Sequence, residues 1–168
     1  MIKKVIIPLM VVVIAVVWFY QYLGGFDKVT FNETTINLYF QGNEYQGLYN
    51  NPETEKLFLL AREAAVNASN AELAIMSYPS AKDSLHQIIG LVSKEPVEAT
   101  DMNYKEELTG RYLETIITAH NLVMPKPNEV IEKAKDFAFK NDLVVDDNRS
   151  IDIYQGSRSL RVLIPLVD

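Results

Sequence analysis

The chain has 168 residues, a net charge of −6 and no cysteine. The acidic balance excludes a nucleic-acid-binding face, which needs clustered lysine and arginine. The missing thiols exclude disulfides, thiolate metal sites and cysteine nucleophiles.

Residues 5–23 form an almost uninterrupted apolar run behind Lys3 and Lys4. As a helix it would span roughly 28 Å, the thickness of a bilayer's hydrocarbon core. Pro8 falls near the first turn, and Trp18, Phe19, Tyr20 and Tyr22 suit the far interface. A cleaved signal would end in small residues, whereas this run ends in bulky aromatics. The reading is an uncleaved anchor over 1–25, with Gly24 and Gly25 as a hinge and 26–33 as a juxtamembrane linker. Lys3 and Lys4 keep the N-terminus cytoplasmic and send the domain to the non-cytoplasmic side.

From residue 34 onward one pattern, strand–helix–strand–strand, is written twice, over about 34–94 and 110–168. The first copy predicts a strand at 36–41, a helix at 52–67 and strands at 73–78 and 85–92. Asn51 before Pro52 supplies a cap and a proline start, and Glu53 and Glu55 place acids in the first turn. Leu57, Leu60, Ala61, Ala64, Ala65 and Ala68 then recur at helical spacing. An acidic linker runs from Glu95 to Glu107. The second copy predicts a strand at 112–119, a helix at 128–140 and strands at 151–154 and 160–164. Pro125 and Pro127 block an earlier helix start, and Val130, Ile131, Ala134, Phe137 and Ala138 form its apolar face.

The fold class is therefore α+β: two pseudo-symmetric repeats forming one antiparallel sheet with two helices on one face, behind a transmembrane helix. Ile36, Leu38 and Phe40 alternate with Asn37, Tyr39 and Gln41, and Ile151 and Ile153 alternate with Asp152 and Tyr154. The apolar face is expected under the helices and the polar, aromatic face toward a cleft between the repeats. Seams of this kind are where small-molecule sites occur.

His86 and His120 are the only histidines, and no metal-ligand spacing, nucleophile elbow or phosphate-cradling glycine loop frames any residue. No metal and no cofactor is expected. Tyr39, Tyr112, Glu114, Tyr154 and Arg161 are the candidate ligand-binding residues. Asp152 is a further acid able to reach the cleft, and Arg111 or Arg161 could simply pair with Glu114.

Ser150-Ile151-Asp152-Ile153-Tyr154-Gln155, followed after a turn by Leu160-Arg161-Val162-Leu163-Ile164-Pro165-Leu166, resembles the end of GyrI-like small-molecule-binding domains. Gly110-Arg111-Tyr112-Leu113-Glu114, Gly42-Asn43-Glu44-Tyr45 and Ser77-Tyr78-Pro79 resemble earlier motifs of that family. With its anchor, the chain resembles a membrane-anchored member. The resemblance implies a pseudo-twofold cleft lined by aromatics, with an acid four positions before the final proline that neutralises cationic amphipaths. Arg161 stands there instead, and an arginine's planar fork favours carboxylate or phosphate groups. The implied function is binding of an amphipathic or aromatic small molecule. The alternatives are a protein-interaction domain with a degenerate cleft, then a hydrolase in which Glu114 activates water.

Overall fold

The computed structural model describes residues 2–23, 29–97, 101–119, 123–156 and 159–167, and side chains of the first helix from Met10 onward. The Gly24–Gly25 hinge, the first part of the 26–33 linker and His120 lie outside the described residues. Helix α1 (Ile2–Tyr22) precedes the domain, and its described side chains are all exposed. No helix of the described residues is long and apolar enough to cross a membrane. The domain runs β1 (Asn32–Leu48), α2 (Pro52–Asn67), β2 (Ala71–Tyr78), β3 (Ser84–Ser93), β4 (Tyr104–Thr118), α3 (Pro127–Lys140), β5 (Ser150–Gln155) and β6 (Ser159–Pro165).

The helix ends follow from local chemistry. The Glu53 N–H donates to Asn51 Oδ1 at 2.9 Å, Pro52 opens α2, and Glu53 and Glu55 face its positive end. Helix α3 opens on Pro127 and closes where Asn141 Nδ2 donates to the Phe137 carbonyl at 2.8 Å. An orphan carbonyl of the last turn is thereby satisfied.

Every strand pairing is antiparallel, and the order β1-β3-β2-β5-β6-β4 closes into a barrel. Exchanging the repeats maps β1 onto β4, β2 onto β5 and β3 onto β6, and reproduces the same ring in reverse. The two repeats meet along β1–β4 and β2–β5. The expected sheet is thus present but curls fully round, with α2 and α3 packed on its outside.

This closure reverses one expectation about faces. Ile36, Leu38, Phe40, Ile151 and Ile153 were expected beneath the helices, yet they fill the barrel interior with Met76, Tyr112 and Leu163. The helices cover the opposite face. Helix α3 lies on Leu113, Ile117, Val162 and Ile164, and α2 on Leu73, Ile89 and Leu91. Alternation separates two faces of a strand, but in a barrel both faces can be apolar.

Closure also demands one close backbone approach. Gly42 of β1 faces Gly90 of β3 in register. A Cβ on Gly90 would overlap the Gln41 carbonyl oxygen and come within 2.5 Å of Gly42 Cα. Backbone on both sides leaves nothing flexible to yield. Gly90→Ala is therefore expected to cost at least about 2–3 kcal/mol, read as a lowered midpoint in denaturant unfolding of the full chain.

Candidate functional site

Three half-buried acidic environments stand out, two inside the barrel and one outside. At one end Arg161 Nε donates to Glu114 Oε1, and both side chains are about one-fifth exposed. The two lie on the inward-facing positions of β6 and β4, beside Leu163 and Ile153. The sequence-predicted residues Glu114 and Arg161 are therefore brought together, but on each other.

The opposite end carries a cluster that the sequence reading did not single out. Arg149 Nη1 donates to Glu106 Oε1 at 2.6 Å, and the Tyr104 hydroxyl donates to Glu106 Oε2. Glu106 lies roughly 26 Å from Glu114 along β4 at the usual strand rise. Phe40 meets Tyr104 edge-on at 6.2 Å between ring centroids. Tyr78 packs against the barrel core beside Tyr104 and stacks at 4.6 Å on His86, whose Nε2 lies 2.8 Å from Glu44 Oε1. Burial pushes the Tyr104 hydroxyl above its ordinary range, and the bonds to Glu106 and Tyr78 add to the rise. Burial also raises Tyr112, while Arg149 opposes that shift. Tyr112 is thus the predicted site residue that belongs to this end, and it is almost wholly buried.

Tyr39 and Tyr154 go elsewhere. Tyr39 alternates with Leu38 and Phe40 and lies on the outer face, between Ser93 and Glu107 on the flanking strands. Tyr154 is also outside, with its ring edge-on to Phe58 of α2 at 6.0 Å. The five predicted residues do not line one cleft.

Asp152 sits beside Tyr154 on that outer face, partly buried. Burial alone pushes its carboxyl up to about 6. Among the described residues it has no hydrogen-bond or ion-pair partner. Burial of the phenol raises Tyr154 to about 12, and the neighbouring Asp152 carboxylate adds to the rise. Among the described residues no group of His, Asp or Glu could hold a metal ion.

A folded carboxyl titrating near 6 binds its proton more tightly than an unfolded one near 3.9. Its contribution to stability is full below pH 4 and is lost as pH rises through 6. Asp152→Asn removes that loss. After a discount for partial exposure, the variant should be more stable than the parent at pH 8 by on the order of 1–2 kcal/mol. Thermal melting of both chains from pH 4 to 8 checks it: parallel curves would refute the assignment.

No family model matches the chain and no curated protein matches it. Solved structures do. A hydrolase from Listeria innocua matches with a TM-score of 0.57 at 10% identity, over 89% of this chain and 98% of its own. SAV2435, solved bound to tetraphenylphosphonium, matches with a TM-score of 0.52 at 10% identity, over 82% and 94%. An integron cassette protein from Vibrio cholerae matches with a TM-score of 0.52 at 12% identity, over 82% and 95%. At these identities the likeness is one of fold, and that fold is the GyrI-like one expected from the motifs: two strand–helix–strand–strand repeats closed about a shared interior.

Proposed function

We propose that the chain is a membrane-tethered ligand-binding module that takes an aromatic amphipath at the barrel end formed by Tyr78, Tyr104, Tyr112, Glu106 and Arg149. The observation that carries this reading is convergence. Residues from both repeats bring three phenols and one ion pair to one end of the barrel interior. Aromatic walls with a few placed polar groups are the usual makeup of a small-molecule site.

The charge balance narrows the ligand. SAV2435 was solved with a permanent organic cation. In this chain the two carboxylates that β4 turns inward, Glu106 and Glu114, already carry an arginine. A naked cation would have to compete with those guanidiniums. Arg149 has donors beyond its bond to Glu106 and offers them to a carboxylate or phosphate on an aromatic body. Arg161 has the same capacity at the other end, where Glu114 holds it. No bond-breaking role is assigned to Glu114, because its carboxylate is held by Arg161.

A melting screen of the full chain in detergent, with aromatic carboxylates, tetraphenylphosphonium and neutral isosteres, tests the reading. A carboxylate at a hundred times its dissociation constant should add about 2.7 kcal/mol. That gain should vanish in the double variant Glu106→Gln, Arg149→Gln. A flat response from a well-folded chain would favour the second reading, an interaction domain. Its support is that Phe40, Met76, Tyr112 and Leu163 leave little of the interior unfilled.

The tether is α1. Met10, Val11, Val12, Val13, Ile14, Val16, Val17 and Trp18 are all exposed, so they rest on no protein surface. A helix apolar all round suits lipid. Lys3 and Lys4 orient the N-terminus to the cytoplasm and the domain to the other side. The chain should stay with the membrane pellet after alkaline carbonate extraction, and protease should reach the domain only from the non-cytoplasmic side. Release by carbonate would remove the tether, and cytoplasmic accessibility would reverse the orientation.

A further inference from the structure

The outer face of the barrel carries a second candidate site, independent of the ligand reading above. On β5, Ile151 and Ile153 are wholly inside, so Asp152 and Tyr154 stand on the outside. Asp152 lies between Ile75 of β2 and Val162 of β6. Ile75 packs with the cluster under α2, and Val162 with the cluster under α3. These are separate clusters, so Asp152 marks the line where the two helical layers part. Phe58 and Tyr154 form the α2 side of that line.

Along this line two side chains, Asp152 and Thr115, have no partner among the described residues. Thr115, paired with Val162 from the other side, has a buried Oγ1 that makes no hydrogen bond. Lys135 of α3 offers no counter-charge, because Glu132 and Asp147 hold it. Leaving such atoms without partners is costly, and native structures seldom do so without a reason.

We infer that the outer face of β5, between the clusters under α2 and α3, binds a cationic group bearing N–H donors, an alkylammonium or guanidinium, on the Asp152 carboxylate, with Tyr154 and Phe58 against its apolar stem. Donors are the deciding feature. A carboxylate offers about four acceptor positions, and at Asp152 none is used among the described residues. Charge-assisted N–H···O bonds would satisfy them, whereas a quaternary or phosphonium cation brings charge without hydrogen bonds. The aromatic pair adds a surface on which a cation's stem can lie. The group could be a free amine or the lysine side chain of a partner peptide, since the recognising chemistry is the same.

Calorimetric titration of the full chain in phosphatidylcholine nanodiscs at neutral pH tests this. The probes are benzylamine for a free amine and N-acetyl-lysine-N-methylamide for a side chain, with benzyl alcohol and tetraphenylphosphonium as donor or charge controls. At least one amine should bind about tenfold or more tightly than both controls. Asp152→Asn should weaken it by at least about tenfold while raising the melting temperature, which shows that the variant is folded. Preference for benzylamine identifies a small amine, and preference for the lysine amide a partner side chain. The inference is overturned if both amines fail to bind at millimolar concentration, if a control binds equally, or if folded Asp152→Asn binds unchanged. The double variant Glu106→Gln, Arg149→Gln should leave amine binding intact, which separates this site from the barrel end.

Discussion

Two ladders between the repeats, β1 with β4 and β2 with β5, hold the domain together, and its other features follow from them. Each repeat alone would be a three-stranded sheet with open edges and one apolar face uncovered, marginal in water. Pairing along both edges removes every edge and turns one face inward. Strand β1 makes this geometry work through its length. Its first part pairs with β4 and its second with β3, and from Tyr39 to Gly42 it pairs with both. The Gly42–Gly90 contact lies within this doubly paired stretch, where the sheet has least room.

A closed interior leaves few places for charge. Glu106 and Glu114 lie on the inward positions of β4 with Leu108 and Tyr112, so each must lose water at a barrel end. Each meets an arginine from the β5–β6 side of its own repeat, and Glu106 also accepts from Tyr104. Such pairs add little net stability over apolar replacements, but losing one partner strands the other. Their effect is to fix which residues meet at each end and to neutralise the two acids of β4.

Much of the fold was legible because its local signals are strong. Asn51-Pro52 and the alanine-rich stripe locate α2 to the residue at both ends, and Pro127 with the Val130–Ala138 stripe locates α3 within one residue. The strands of the two hairpins were placed almost as well. Strands β1 and β4 were read too short, because 42–48 and 104–111 are rich in glycine, acids and amides that resemble loops. Their order comes from long-range pairing, which no local pattern contains. That error hid Glu106, whose parity with Tyr112 appears only once β4 is extended back to Tyr104. Arg149, its partner, is 43 positions away in the chain. Alternation correctly split Tyr39 and Tyr154 from the aliphatic positions, but it carried no sign for inside and outside.

The same closure that pairs the inner acids leaves Asp152 outside that arrangement. It stands on the outer face of the ring, between Ile75 of the cluster under α2 and Val162 of the cluster under α3. Burial strips water from it, and among the described residues no arginine pairs with it. Hydrophobic packing alone would favour valine or isoleucine, as at its neighbours Ile75 and Val162. An unpaired carboxylate at that point lowers stability at neutral pH, and proteins commonly accept such a loss where a site must stay ready for a ligand. The inner acids are explained by the fold itself. Asp152 is explained by something the fold does not contain.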